Sequence, residues 1–113
     1  MGRIYKILTR AEWARAQAAG AFEGSAVDRL DGFIHFSTAA QAGETARRHF
    51  AGQPDLVVLE VEADDLGEAL RWEASRGGDL FPHLYGPLGA SLVRGVTEAA
   101  LGAEGVPSLD LTS

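Results

Sequence analysis

The sequence predicts an α+β fold on a mixed or antiparallel sheet, and three observations carry that prediction. Strand-type segments predominate, recurring from Arg3 near the start to Ala99 near the end. Helix signals occur twice only, both in the first half of the chain, so helices and strands are segregated. The length, 113 residues, suits one core. The expected organisation is a single domain over 1–101, followed by a weakly held tail over 102–113.

Each element has a local reason. Arg3 to Leu8 reads as a strand, with Ile4, Tyr5, Ile7 and Leu8 around the single charge of Lys6. Thr9-x-x-Glu12 has capping-box spacing and opens an Ala-rich helix that Gly20 ends. Trp13 and Ala16 share the stripe expected to dock it. Gly24 to Gly32 reads as a polar connector, with Val27 and Leu30 pinned inward. Phe33 to Phe36 is a short strand. Ser37 or Thr38 then caps a second helix to about Phe50, since Thr38-x-x-Gln41 repeats the capping spacing. Ala42, Ala46 and Phe50 form its buried stripe. Asp55 to Glu62 is apolar on both faces, as a central strand is. Asp64 to Gly67 reads as a helical turn. Leu70 to Ser75 alternates, with Leu70 and Trp72 on one face and Arg71, Glu73 and Ser75 on the other. After Gly77-Gly78, Leu80 to Tyr85 is extended, and Pro82 confines it to an edge or an irregular strand. Ser91 to Ala99 closes the sheet.

Composition removes several classes of function. There is no cysteine, which excludes disulfides, thiolate catalysis and cysteine zinc sites and makes a reducing cytoplasm the expected compartment. The formal net charge is −6 with ten Lys and Arg residues, an unsuitable balance for general nucleic-acid or anionic-membrane binding. No apolar run approaches the roughly 20 residues that span a bilayer, and the first residues lack the apolar stretch of a secretory signal. Phosphate-loop, Gly-x-Gly-x-x-Gly and Gly-x-Ser-x-Gly motifs are missing.

What remains is a pair of histidines. His35 lies in Gly32-Phe33-Ile34-His35-Phe36-Ser37-Thr38, and His83 in Leu80-Phe81-Pro82-His83-Leu84-Tyr85-Gly86-Pro87. Alternation puts Phe33, His35 and Ser37 on one side of their strand, and Phe81, His83 and Tyr85 on one side of theirs. Each imidazole thus shares a face with an aromatic ring and a hydroxyl, the make-up of a small-molecule pocket. The structural alternative is a pair of buried histidines bonded to backbone, since an unmet buried polar group costs roughly 1–3 kcal/mol. His49, in a helix's last turn, reads as structural. Glu73 acts only if it faces the histidines; otherwise Arg71 or Arg76 pairs with it. Lys6 either snorkels along the surface or meets a phosphate or ribose. A two-histidine, one-carboxylate metal site from His35, His83 and Glu73 lacks supporting spacing, and no metal is expected.

Ile4-Tyr5-Lys6-Ile7, Trp13, Gly32-Phe33-Ile34-His35-x-Ser37, Arg71-Trp72-Glu73 and Phe81-Pro82-His83-Leu84-Tyr85-Gly86-Pro87 together resemble the small bacterial domain-of-unknown-function 952 family. That family is grouped by fold with ADP-ribosyltransferases, whose split, strongly bent sheet grips NAD. The resemblance implies a bent sheet carrying the two early helices, with NAD as a substrate rather than a tightly bound cofactor. Glu73, His35 and His83 become the catalytic candidates. Lys6 replaces a histidine common in relatives and would contact ribose or phosphate. Ser37 and Thr38 would form an anion site at a helix start, and Phe81 or Tyr85 would stack on a ligand ring. The alternative is a non-catalytic module binding a small metabolite or a protein through the same cleft. Oligomeric state and acceptor are not legible.

Overall fold

In a computed structural model, residues 2–75 and 78–99 are described, and the expected tail falls outside them. The chain runs β1 (Arg3–Thr9), α1 (Arg10–Ala19), β2 (Ala21–Phe22), α2 (Ala26–Asp31), β3 (Ile34–His35), β4 (Ser37–Thr38) and α3 (Ala39–His49). It continues through β5 (Leu56–Glu62), a 3-10 segment (Ala63–Ala69), β6 (Leu70–Ser75), β7 (Asp79–Leu84), β8 (Leu88–Gly89), a 3-10 turn (Ala90–Leu92) and β9 (Val93–Ala99). Both expected capping boxes form. The Thr9 side chain accepts from the Glu12 N–H, and that of Thr38 from the Gln41 N–H. Gly20 closes α1 in the left-handed region at φ 89°.

All pairings among the described residues are antiparallel, so the mixed-sheet option drops out. The strands form a four-stranded sheet β4-β1-β5-β9, a three-stranded sheet β3-β7-β6 and the β2-β8 pair. Apolar side chains fill both faces of the larger sheet. Tyr5, Ile7, Leu56 and Val58 meet Ala46 of α3. Ile4, Leu8, Val57, Leu59 and Val61 meet Trp13 and Ala16 of α1 together with Ile34 and Leu84 of the smaller sheet. The smaller sheet therefore has one face in the core, which leaves Arg71, Glu73, His35 and His83 on its other face by alternation.

Three expectations need correction. The connector at 24–32 contains α2, opened by Ser25 in extended conformation and closed by Gly32. Val27 and Leu30 do not point inward; they are 56% and 84% exposed, because the buried side of this short helix is given to Asp28 at 1%. Pro82 lies in the central strand of its sheet, not an edge. Its carbonyl accepts from the Phe36 N–H at 3.0 Å, and its missing N–H falls where β3 has already ended at His35. Among the described residues, no helix is long and apolar enough to cross a membrane.

Candidate functional site

Strand register brings the two histidines together. His35 of β3 is directly opposite His83 of β7, and Arg71 of β6 is opposite His83 on its other side. The imidazole centroids are 5.6 Å apart at a near-perpendicular 69°. Phe33 binds the group together: its ring stacks on His83 at 4.0 Å and 25°, and tilts against His35 at 4.6 Å and Tyr85 at 5.2 Å. Four rings from two chain segments, 33–35 and 83–85, thus make one aromatic surface.

Glu73 faces this surface. Its Oε1 accepts from the Tyr85 hydroxyl at 2.7 Å and lies 2.8 Å from His83 Nδ1. The Tyr85 bond, aided by His83, holds the Glu73 carboxyl below the usual carboxylate range, while the same bond raises Tyr85. The Arg71 guanidinium lies 5.2 Å from the Tyr85 ring centre. Arg71 adds only a lesser charge attraction to Glu73, and Arg76 lies outside the described residues. Oε1 is thus held twice, and Oε2 carries no hydrogen bond to another described residue.

The first imidazole has a carboxylate that the sequence reading passed over. Asp28 Oδ1 lies 2.6 Å from His35 Nδ1 and accepts from the His35 backbone N–H at 3.2 Å. Oδ2 accepts from the Ser25 N–H at 2.9 Å and meets the Lys6 ammonium, also at 2.9 Å. Burial pushes the Asp28 carboxyl up, but His35, Lys6 and the Ser25 N–H outweigh it and hold the group at about 2. Lys6 is only 4% exposed, which corrects the surface reading: its ammonium is in the core beside Phe22, 5.9 Å from that ring centre. Burial lowers its pKa despite the pull of Asp28, the expected imbalance for an ammonium removed from water. On its outer side, His35 Nε2 lies 2.9 Å from Asp31 Oδ2.

Ser25-x-x-Asp28 was the available signal, since it repeats the spacing that located the other two helices. Beside the cluster, an open hollow of about 320 Å³ is lined by Glu23, Asp28, Arg29, Phe33 and Pro87, among others. The remaining expected residues are elsewhere. Ser37 is buried with its hydroxyl 3.0 Å from that of Thr45. Thr38 is committed to capping α3 and borders a different hollow, with Arg3 and Trp72. Phe81 is buried opposite Glu73 in the strand ladder, and the ring stacked on His83 is that of Phe33. Among the described residues no group of three or more histidine and carboxylate side chains is arranged to hold a metal ion.

The family model described as "Protein of unknown function (DUF952)" matches residues 7–96. The chain belongs to this family. Solved structures with the same fold include the crystal structure of protein CC0527 from Caulobacter crescentus, 60% identical over 94% of this chain and 93% of that one, with a TM-score of 0.92. The solution structure of the same protein is 61% identical over 95% and 92%, with a TM-score of 0.85. No curated protein matches the chain. The matched span includes His35, Glu73 and His83, and the shared fold bears out the α+β architecture.

Proposed function

We propose that the aromatic face formed by Phe33, His35, His83 and Tyr85 binds NAD or a related nucleotide, and that Glu73 acts on the bound ribose. The observation that carries this reading is the Glu73 carboxylate, fixed through Oε1 by Tyr85 and His83. In an ADP-ribosyl transfer, the bond between nicotinamide and the ribose C1′ breaks, and the bonding pair leaves with nicotinamide. Positive charge develops on the ribose until an acceptor hydroxyl or water adds at C1′ and gives up its proton. A fixed carboxylate stabilises that oxocarbenium-like state more than the ground state. Exposed Tyr85 and half-buried Phe33 and His35, with His83 buried against Phe33, offer stacking surface for a base, and the hollow beside Phe33 is of a size to take part of a nucleotide. The division of the sheet into separate antiparallel pieces further supports the likeness to ADP-ribosyltransferases.

Titration with NAD, followed through backbone amide shifts, tests the reading. Shifts at Phe33, His35, His83 and Tyr85 are expected, and silence at millimolar ligand would end it. Glu73→Gln is expected to retain binding and abolish nicotinamide release; unchanged release would remove Glu73 from the chemistry. One observation favours the non-catalytic alternative: Lys6, in the position that relatives often give to histidine, is consumed by Asp28. A nucleotide bound but recovered intact after long incubation would select that alternative.

A further inference from the structure

His35 is held between two carboxylates that differ in every physical respect. Asp28 is buried and fixed by Lys6, the Ser25 N–H and the His35 N–H. Asp31 has a side chain 44% exposed and, among the described residues, bonds to His35 Nε2 at 2.9 Å. Asp31 is also the last residue of α2, where a negative charge meets the negative end of the helix dipole. Helix geometry therefore does not favour its carboxylate there; the imidazole holds it. Carboxylates only accept hydrogen bonds, so Asp28 and Asp31 are both bonded only when each ring nitrogen carries a proton.

We propose that Asp31 is a placeholder for an anionic ligand oxygen of the phosphate type on His35 Nε2, and that ligand binding displaces it. This rests on the reading of the aromatic face as a nucleotide site and names the group that selects for charge there. Asp28 anchors Nδ1 and sets the ring's direction. Nε2 then points its own proton outward, towards an oxyanion supplied either by Asp31 or by the ligand. A neutral ligand gives His35 nothing to exchange for Asp31, whereas a phosphate replaces one anion by a stronger one. An exposed ion pair contributes up to about a fivefold effect, so Asp31 tunes affinity rather than closing the site.

Asp31→Ala removes the competing acceptor at an exposed position where the fold does not depend on it. Glu44→Gln is the control: it makes the same change in net charge on α3, across the larger sheet. Affinities of the wild type and both variants for inorganic pyrophosphate and for NAD would be measured by amide-shift titration. Asp31→Ala is expected to bind pyrophosphate about two- to fivefold more tightly, with Glu44→Gln equal to wild type. If wild type binds and Asp31→Ala binds no better, the placeholder is refuted and the nucleotide site survives. If Asp31→Ala gains pyrophosphate affinity but neither protein responds to NAD, the NAD reading falls and the placeholder stands. Failure of Asp31→Ala to bind either probe overturns the placeholder outright.

Discussion

Replacing Asp28 by Asn would leave the Lys6 ammonium in the core without the carboxylate it is paired with. Removing one partner of a buried ion pair costs about 3–5 kcal/mol, and that loss is expected in urea unfolding. Lys6→Met is expected to cost less, because Asp28 keeps His35 and the Ser25 N–H. A larger loss for Lys6→Met would invert this ranking. At the second imidazole, the Glu73 carboxylate raises Tyr85, so Glu73→Gln should return Tyr85 towards the ordinary tyrosine range in an ultraviolet pH titration. A curve that does not move would mean the bond does not persist in solution. His35 and His83 were legible in the sequence because strand alternation states which neighbours share a face. Asp28 was not, because a polar residue between two glycines reads as loop until the capping spacing before it is noticed.

At the scale of the element, α2 is the part that the sequence understated. Six residues bury one carboxylate and turn Val27 and Leu30 to solvent, the reverse of what their hydrophobicity suggests. Gly24 makes this possible. It has φ +110°, and a Cβ there would come within 2.9 Å of the Asp28 Cβ. Gly24→Ala should therefore destabilise the protein by about 1–3 kcal/mol and perturb the His35 ring resonances, because α2 must back away from β3. Intact ring resonances in that variant would show that α2 is placed by other contacts. The α3 cap is simpler and independent of the site: Thr38→Ala should cost about 1 kcal/mol, with the ring resonances of His35 and His83 unchanged. The helices with full capping signals and the apolar β5 strand were read nearly to the residue. Pro82 was misplaced because its position depends on where β3 stops, and that is a property of the neighbouring strand.

For the whole molecule, the buried Asp28 gives stability a definite pH dependence. Its carboxyl is held at about 2 against an ordinary 3.8, so the folded protein takes up this proton less readily than the unfolded chain. The stabilisation is complete above about pH 4 and is lost as pH falls towards 2, amounting to about 2 kcal/mol at 1.36 kcal/mol per unit. Urea midpoints at pH 5 and pH 2 should show the loss, and Asp28→Asn should lack this part of it. A variant with the same acid slope as wild type would place the titrating group elsewhere. The two cores on either face of the larger sheet resist this loss, since their apolar contacts do not titrate.

The sequence by itself determined the α+β class, two of the three helices with their caps, the central strand, the histidine-bearing face and the family. These follow from periodicity, capping chemistry and local motifs, all of which act between residues close in the chain. Tertiary structure alone decided that Lys6 is buried, that Asp28 and Glu73 each hold an imidazole, and that Phe33 joins the rings. Such pairings are set by register and by the packing of one sheet on another, where residues far apart in the chain must satisfy one another's charge and hydrogen bonds once water is gone.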